Sequence, residues 1–223
     1  MRVAKTVLAL GLFLFAGLAV ASPEDPQEGR EYVKIARQPA APQPAAPDGK
    51  VEVIEFFLYG CPHCNGFEPY ISGWARSRSA KVLFKRVPVN LHPGDEAWQK
   101  MYYALDVLGQ ADALHAKIFH AIHVDHMHLN DEAAIADFVA GQGVDRDAFV
   151  AAFRSFQVET RLRQAQALMQ AYEIKRIPTV AVGGRFETSP AMAGDSLGDR
   201  PETEYFSSTL QVMSKLVTLS ASE

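Results

Sequence analysis

Val51-Glu52-Val53-Ile54-Glu55-Phe56-Phe57-Leu58-Tyr59-Gly60-Cys61-Pro62-His63-Cys64 is the stretch whose reading decides the fold. Its run to Tyr59 is β-branched and aromatic, broken only by two glutamates, which predicts a buried central strand that Gly60 ends. Pro62 then stands where a first helical residue belongs, since a missing N–H costs nothing there. Phe67, Tyr70, Ile71 and Trp74 follow at helical spacing. A strand therefore runs straight into an amphipathic helix, with two cysteines at the junction.

Cys61 and Cys64 are the only cysteines in the chain. A disulfide across so short a loop removes little entropy from the unfolded chain, so as a staple it would be nearly idle. A structural zinc site wants about four protein ligands and this pair supplies two. Covalent haem attachment needs a histidine directly after the second cysteine, where Asn65 stands. Redox exchange is what the spacing favours. At the helix start, unpaired N–H groups and the positive end of the helix dipole favour a Cys61 thiolate, and a protonated His63 adds charge of the same sign. Cys64, one turn deeper, is expected to be covered. Cys61 is thus the candidate sulfur for exchange with substrate and Cys64 its internal partner. A stabilised Cys61 thiolate leaves readily and favours the reduced protein, so the pair should oxidise rather than reduce.

Downstream, Lys81 to Val89 predicts a second strand, closed off by Pro93-Gly94. From Glu96 to about Phe156 the pattern is helical, with apolar stripes at Trp98, Met101, Tyr102 and Leu105 and at Leu114, Ile118 and Ile122. Asn130 is expected to start a third helix in this block, Gly141 to stop it and Asp145 to cap a fourth. A longer helix through Val158, Leu162, Ala165, Met169 and Tyr172 follows. Thr179 to Val182, Gly183-Gly184 and Arg185 to Glu187 predict a strand, a two-residue turn and a partner strand. A last helix carries Phe206, Leu210, Met213 and Val217, and a short strand is expected upstream, around Tyr32 to Ile35.

Arg2, Lys5 and the uncharged run from Val7 to Val20 read as a secretory signal peptide. That apolar run is roughly 15 residues, short of the about 20 that a spanning helix needs. The compartment beyond is oxidising, which suits a redox pair. Pro39 to Pro47 holds four prolines and no charge and reads as an extended linker. The chain of 223 residues is 48% apolar with a formal net charge of −4, enough for one substantial core and nothing to draw nucleic acid. The domain organisation expected is a signal peptide over residues 1–21, an N-terminal segment and linker over 22–49, a sheet domain over 50–94 and 159–223, and a helical insertion over 95–158.

Glu55-Phe56-Phe57-Leu58-Tyr59-Gly60-Cys61-Pro62-His63-Cys64, with Arg176-Ile177-Pro178-Thr179 far downstream, resembles the DsbA family of bacterial periplasmic disulfide oxidoreductases. The resemblance implies an α/β, thioredoxin-like fold, a central mixed sheet flanked by helices, interrupted by an all-helical domain. It implies that the protein introduces disulfide bonds into exported proteins in the periplasm, works as a monomer without a cofactor, and is reoxidised by a membrane partner of the DsbB type coupled to quinone. From the residues alone Pro178 is either an ordinary trans proline opening a strand or a cis one. The resemblance implies cis, facing the disulfide, with Ile177 pairing with substrate. It also implies a supporting role for Pro62, His63 and Glu55, and for Lys85 as a buried lysine. Glu55 inside an apolar strand is either a proton relay to Cys64 or simply the partner of a lysine. Glu68 is expected on the solvated face of its helix. Four histidines, His120, His123, His126 and His128, are expected at a helix end running into a loop, without a metal, and His92 and His115 carry no recognisable constellation. The rivals are a disulfide reductase or isomerase of the same compartment, a Cu(I) carrier using Cys61, Cys64 and a histidine, and a holdase chaperone.

Overall fold

The computed structural model describes residues 25–35 and 49–221, so the expected signal peptide and the Pro39 to Pro47 linker lie outside the described residues. Five strands, β1 (Val33–Lys34), β2 (Val51–Phe57), β3 (Val82–Pro88), β4 (Thr179–Val182) and β5 (Phe186–Thr188), form one mixed sheet in the order β1-β5-β4-β2-β3. β2 lies inside it, parallel to β3 and antiparallel to β4. All seven β2 residues are buried because helices cover both faces, which is why the sequence there is nearly continuously apolar.

Alternation along β2 divides the core. Val51 and Val53 face the cluster made with α1 (Pro62–Ser77) and α8 (Glu202–Ala221), where Phe67, Ile71, Phe206 and Leu216 are buried. Ile54 and Phe56 face the other cluster, which continues into the helices between β3 and β4. Those helices are α2 (Glu96–Val107), α3 (Ala111–His123), α4 (Glu132–Gly141), α5 (Arg146–Phe153) and α6 (Phe156–Ala171). α2 packs against α3, α5 and α6, burying Met101, Tyr102 and Leu105 of its predicted stripe.

Three local expectations need adjustment. α4 is capped by Asp131, whose Oδ1 accepts the Ala134 N–H at 2.9 Å, and not by Asn130, because a cap must stand one residue before the first helical turn. The hairpin connects through Gly183, Gly184 and Arg185, and β5 begins at Phe186, which pairs with Val182. Both glycines have positive φ, 60° and 66°, the region that only glycine enters cheaply. The short helix α7 (Pro190–Gly194) adds an element that the periodicity does not reveal. It is started by Ser189, which accepts the Met192 N–H, and it packs on α8.

Candidate active site

Two short steps carry the chain from β2 into α1. The Cys61 N–H donates to Leu58 O at 3.0 Å, turning the backbone at Gly60, and Pro62 opens the helix with the φ it is built for. Gly60 is required by space, since a Cβ there would stand 2.4 Å from the ring of Trp98. Cys61 is the N-cap of α1: its sulfur accepts the Cys64 N–H at 3.4 Å and its carbonyl accepts the Asn65 N–H at 3.1 Å. The two cysteines are unbridged, Cys61 partly exposed and Cys64 fully buried.

That asymmetry sets their acidities apart. Cys61 is drawn down to about 6 by a hydrogen bond from the Cys64 thiol, against its own partial burial, with help from the backbone N–H groups of Cys64 and His63 and from the His63 charge. Burial pushes the Cys64 thiol far above its ordinary range. His63 projects outward, and its Nδ1 pairs with Glu202 Oε1 from the start of α8. This hydrogen bond raises the acidity midpoint of His63, and the Cys61 charge adds to the effect.

The Ile177-Pro178 bond is cis. β4 pairs with β2 so that Phe56 faces Thr179, which brings the preceding Pro178 to the end of β2 from which Cys61 departs. Pro178 is buried, while Ile177 is partly exposed and packs in the same apolar cluster as Cys61, Leu91 and Trp98.

Beneath the cysteines lies a buried polar network that the sequence did not disclose. Glu55 stands 3.3 Å from Arg86 Nε, and Arg86 Nη2 stands 3.3 Å from Glu68. Glu68 accepts from Ser72 and lies 3.3 Å from His115 Nε2, while His115 Nδ1 meets the Tyr59 hydroxyl at 2.9 Å. A carboxylate 3.3 Å from Nε2 favours the tautomer protonated there, which leaves Nδ1 to accept the Tyr59 O–H. Burial raises Glu55 to about 8, with Arg86 pulling the other way. In Glu68 the burial effect is outweighed by His115, Arg86 and Ser72, which hold it below the ordinary carboxylate range, and burial lowers His115.

Two expectations are corrected here. Lys85 is not the buried cation: its side chain is 42% exposed and pairs with Glu52, whereas Arg86, only 8% exposed, faces Glu55. Neighbouring strand residues point to opposite faces, and the pairing of Glu55 with Arg86 across β2 and β3 puts the arginine on the correct one. Glu68 is buried and not solvated, because the α1 face that carries it lies against α3. Strand register would have found the first and the packing of α1 on α3 the second, and only the fold supplies either.

The histidine cluster does not converge. His123 Nε2 donates to the Tyr59 carbonyl at 2.8 Å, His120 pairs with Asp125, and His126 and His128 are exposed in the loop after α3. Among the described residues the group with three ligand atoms within 4.8 Å of one another is Glu55, Glu68 and His115, and Arg86 already supplies its positive charge. No described helix is long and apolar enough to cross a membrane.

Residues 71–200 match the family model of the DSBA-like thioredoxin domain. The thiol:disulfide interchange protein DsbA of Burkholderia cepacia is 43% identical over 192 residues, covering 86% of this chain and 89% of that one. Its counterpart from Pseudomonas syringae is 34% identical over 215 residues, covering 96% and 92%. A crystal structure of a variant of Pseudomonas aeruginosa DsbA superposes with a TM-score of 0.78 at 32% identity, covering 89% of this chain and all (100%) of that one. The oxidoreductase DsbA from Xylella fastidiosa does so with 0.75 at 31%, covering 89% and 99%.

Proposed function

Since the chain belongs to the DsbA family of thiol:disulfide interchange proteins, we propose that Cys61 and Cys64 are its catalytic pair, with Cys61 the sulfur that exchanges with substrate. The protein is a thiol:disulfide oxidoreductase on a thioredoxin-like fold. The observation that carries the assignment of roles is the asymmetry of the pair: an accessible sulfur at a helix N-terminus, drawn down to about 6, against a buried one pushed far up.

In the oxidised protein a substrate thiolate attacks Cys61 Sγ. The Cys61–Cys64 bond breaks, its electron pair passes to Cys64, and Cys64 takes a proton. A second substrate thiolate then attacks the substrate sulfur of the mixed disulfide and expels Cys61 as a thiolate. The substrate loses two electrons and the enzyme gains them. Pro62 and His63 support the departure of Cys61, the first by opening the helix without a competing N–H and the second by its charge. Glu55, whose charge acts on Cys64 and which burial raises to about 8, carries a proton at neutral pH and supplies it to Cys64. The edge formed by Ile177 and cis-Pro178 receives the substrate backbone beside Cys61. Residues 95–158 form a helical unit inserted between residues 50–94 and 159–223, a reading supported by the return of the chain to the sheet only at Thr179.

The substrates are exported proteins with free cysteines, met in the periplasm after removal of residues 1–21. Because the cycle ends with a dithiol, an external oxidant must take the two electrons, and a membrane oxidase of the DsbB type coupled to quinone fits that need. The test is oxidation of a reduced dithiol peptide by the disulfide form of the protein. Stoichiometric oxidation is expected, with none for Cys61→Ser, and acid quenching of the reaction of the Cys61–Cys64 disulfide form should trap the peptide in a mixed disulfide on Cys61 with Cys64 as the free thiol. Oxidation that survives Cys61→Ser overturns the assignment.

A further inference from the structure

Glu202 stands 139 residues from His63, yet its Oε1 is bonded to His63 Nδ1 in the stretch between the two cysteines. Both side chains are exposed, 64% for His63 and 45% for Glu202, and a pair so exposed is ordinarily loose. Here the packing below fixes it. Gly66 has no side chain, and a Cβ there would meet the Phe206 ring at 3.0 Å and Glu202 Oε2 at 3.8 Å, so glycine is what lets α8 approach α1. Phe206, one turn beyond Glu202, is buried against Phe67 and Tyr70 with ring centroids 5.5 and 5.3 Å apart. The start of α8 is thereby pinned over the first turn of α1.

The charged groups acting on the His63 ring are the Glu202 carboxylate from α8 and the Cys61 thiolate at the head of its own helix, and both favour the imidazolium. The His63 charge in turn favours the Cys61 thiolate. We propose that Glu202 is a positioning residue for thiol-disulfide exchange, its carboxylate fixing the orientation and the charge of the His63 ring beside Cys61 as that sulfur departs. This rests on the role proposed for Cys61. A plainer account of Glu202 exists, because an acid in the first turn of any helix is favoured by the dipole. Glu204 shares that turn and is exposed, and no described ion pair involves it, so it separates the two accounts.

The experiment is a pH titration of the reduced protein, whose buried Cys64 stays a thiol, following Cys61 by thiolate absorbance and His63 by the proton resonances of its ring, alone and with Glu202→Gln, Glu202→Asp or Glu204→Gln. The equilibrium with glutathione is measured in the same variants. Glu202→Gln is expected to return the His63 midpoint towards its ordinary 6.5 and to raise that of Cys61. It should also make the protein about two- to five-fold less oxidising against glutathione at neutral pH, the range an exposed pair commands. Glu202→Asp should restore part of each change, and Glu204→Gln should leave all three readings as they were. A low Cys61 midpoint that does not respond to Glu202→Gln, or responds equally to Glu204→Gln, overturns the role of Glu202 alone. An ordinary Cys61 midpoint before any change at Glu202 overturns the reading of Cys61, and the role of Glu202 with it.

Discussion

The Cys61 sulfur accepts the backbone N–H of Cys64 at 3.4 Å, so the outer cysteine caps the helix that carries its partner. Capping therefore contributes to redox poise beside the larger bond from the Cys64 thiol: a thiolate is a better acceptor than a thiol, and the disulfide removes the charge altogether.

Alkylation reports this directly. The rate of Cys61 modification by iodoacetamide in the reduced protein, whose buried Cys64 stays a thiol, should rise with pH around a midpoint near 6 and be almost flat between pH 7.5 and 9, where an ordinary thiol, at 9.0, is still gaining. A profile still climbing through that upper range would contradict the capping account.

Stability should depend on redox state and pH together. Cys61 titrates at about 6 in the folded dithiol form and at 9.0 as an ordinary thiol, so the unfolded reduced chain binds more protons between these values. Its contribution is complete above 9, and it is lost as pH falls through 6. The oxidised protein has no such group. Denaturant midpoints of the two forms should therefore move apart in favour of the reduced one as pH rises from about 6 to about 9, and their difference should be nearly constant below 6.

Glu55 acts with the opposite sign. Its folded value of about 8 exceeds the ordinary 4.5, so its contribution is fully present below 4.5 and lost as pH rises through 8. Glu55→Gln should flatten the stability curve of the oxidised protein across that window, as measured by urea denaturation at four or five pH values. An unchanged slope would place the Glu55 charge in water rather than in the core.

Arg86 and Lys85 are adjacent and should differ sharply. Arg86→Met leaves the ionised Glu68 carboxylate buried without its cation, at a cost of about 3 to 5 kcal/mol. Lys85→Met removes an amine that is 42% exposed and strands one carboxylate at the edge of the core, Glu52, so its cost should be clearly smaller than that of Arg86→Met. Equal losses by thermal or urea unfolding would refute the assignment of the buried cation to Arg86.

Gly60→Ala should destabilise by about 1 to 3 kcal/mol, because its methyl group would overlap the Trp98 ring. In a Trp98→Ala background the same change should cost much less, and the double-mutant cycle measures that coupling.

The sequence by itself determined the strand-to-helix junction and the place of the cysteines on it. Those are local facts: a run of β-branched and aromatic residues, a glycine, a proline fit for a first helical turn, and apolar residues at helical spacing. The same local logic placed the later helices and the hairpin, and it failed by a single residue where two polar neighbours, Asn130 and Asp131, competed to cap.

Tertiary structure alone decided which groups surround the cysteines. Arg86 rather than Lys85 faces Glu55 because strand register selects the face, and no periodicity within β3 reveals its register against β2. His115 reaches Tyr59 from 56 residues away, and Glu202 reaches His63 from 139, contacts that exist only once α3 and α8 have docked on α1. A chain's local pattern encodes which side of each element is apolar. Which polar groups meet across those sides depends on how the elements pack, and that is fixed by the fold as a whole.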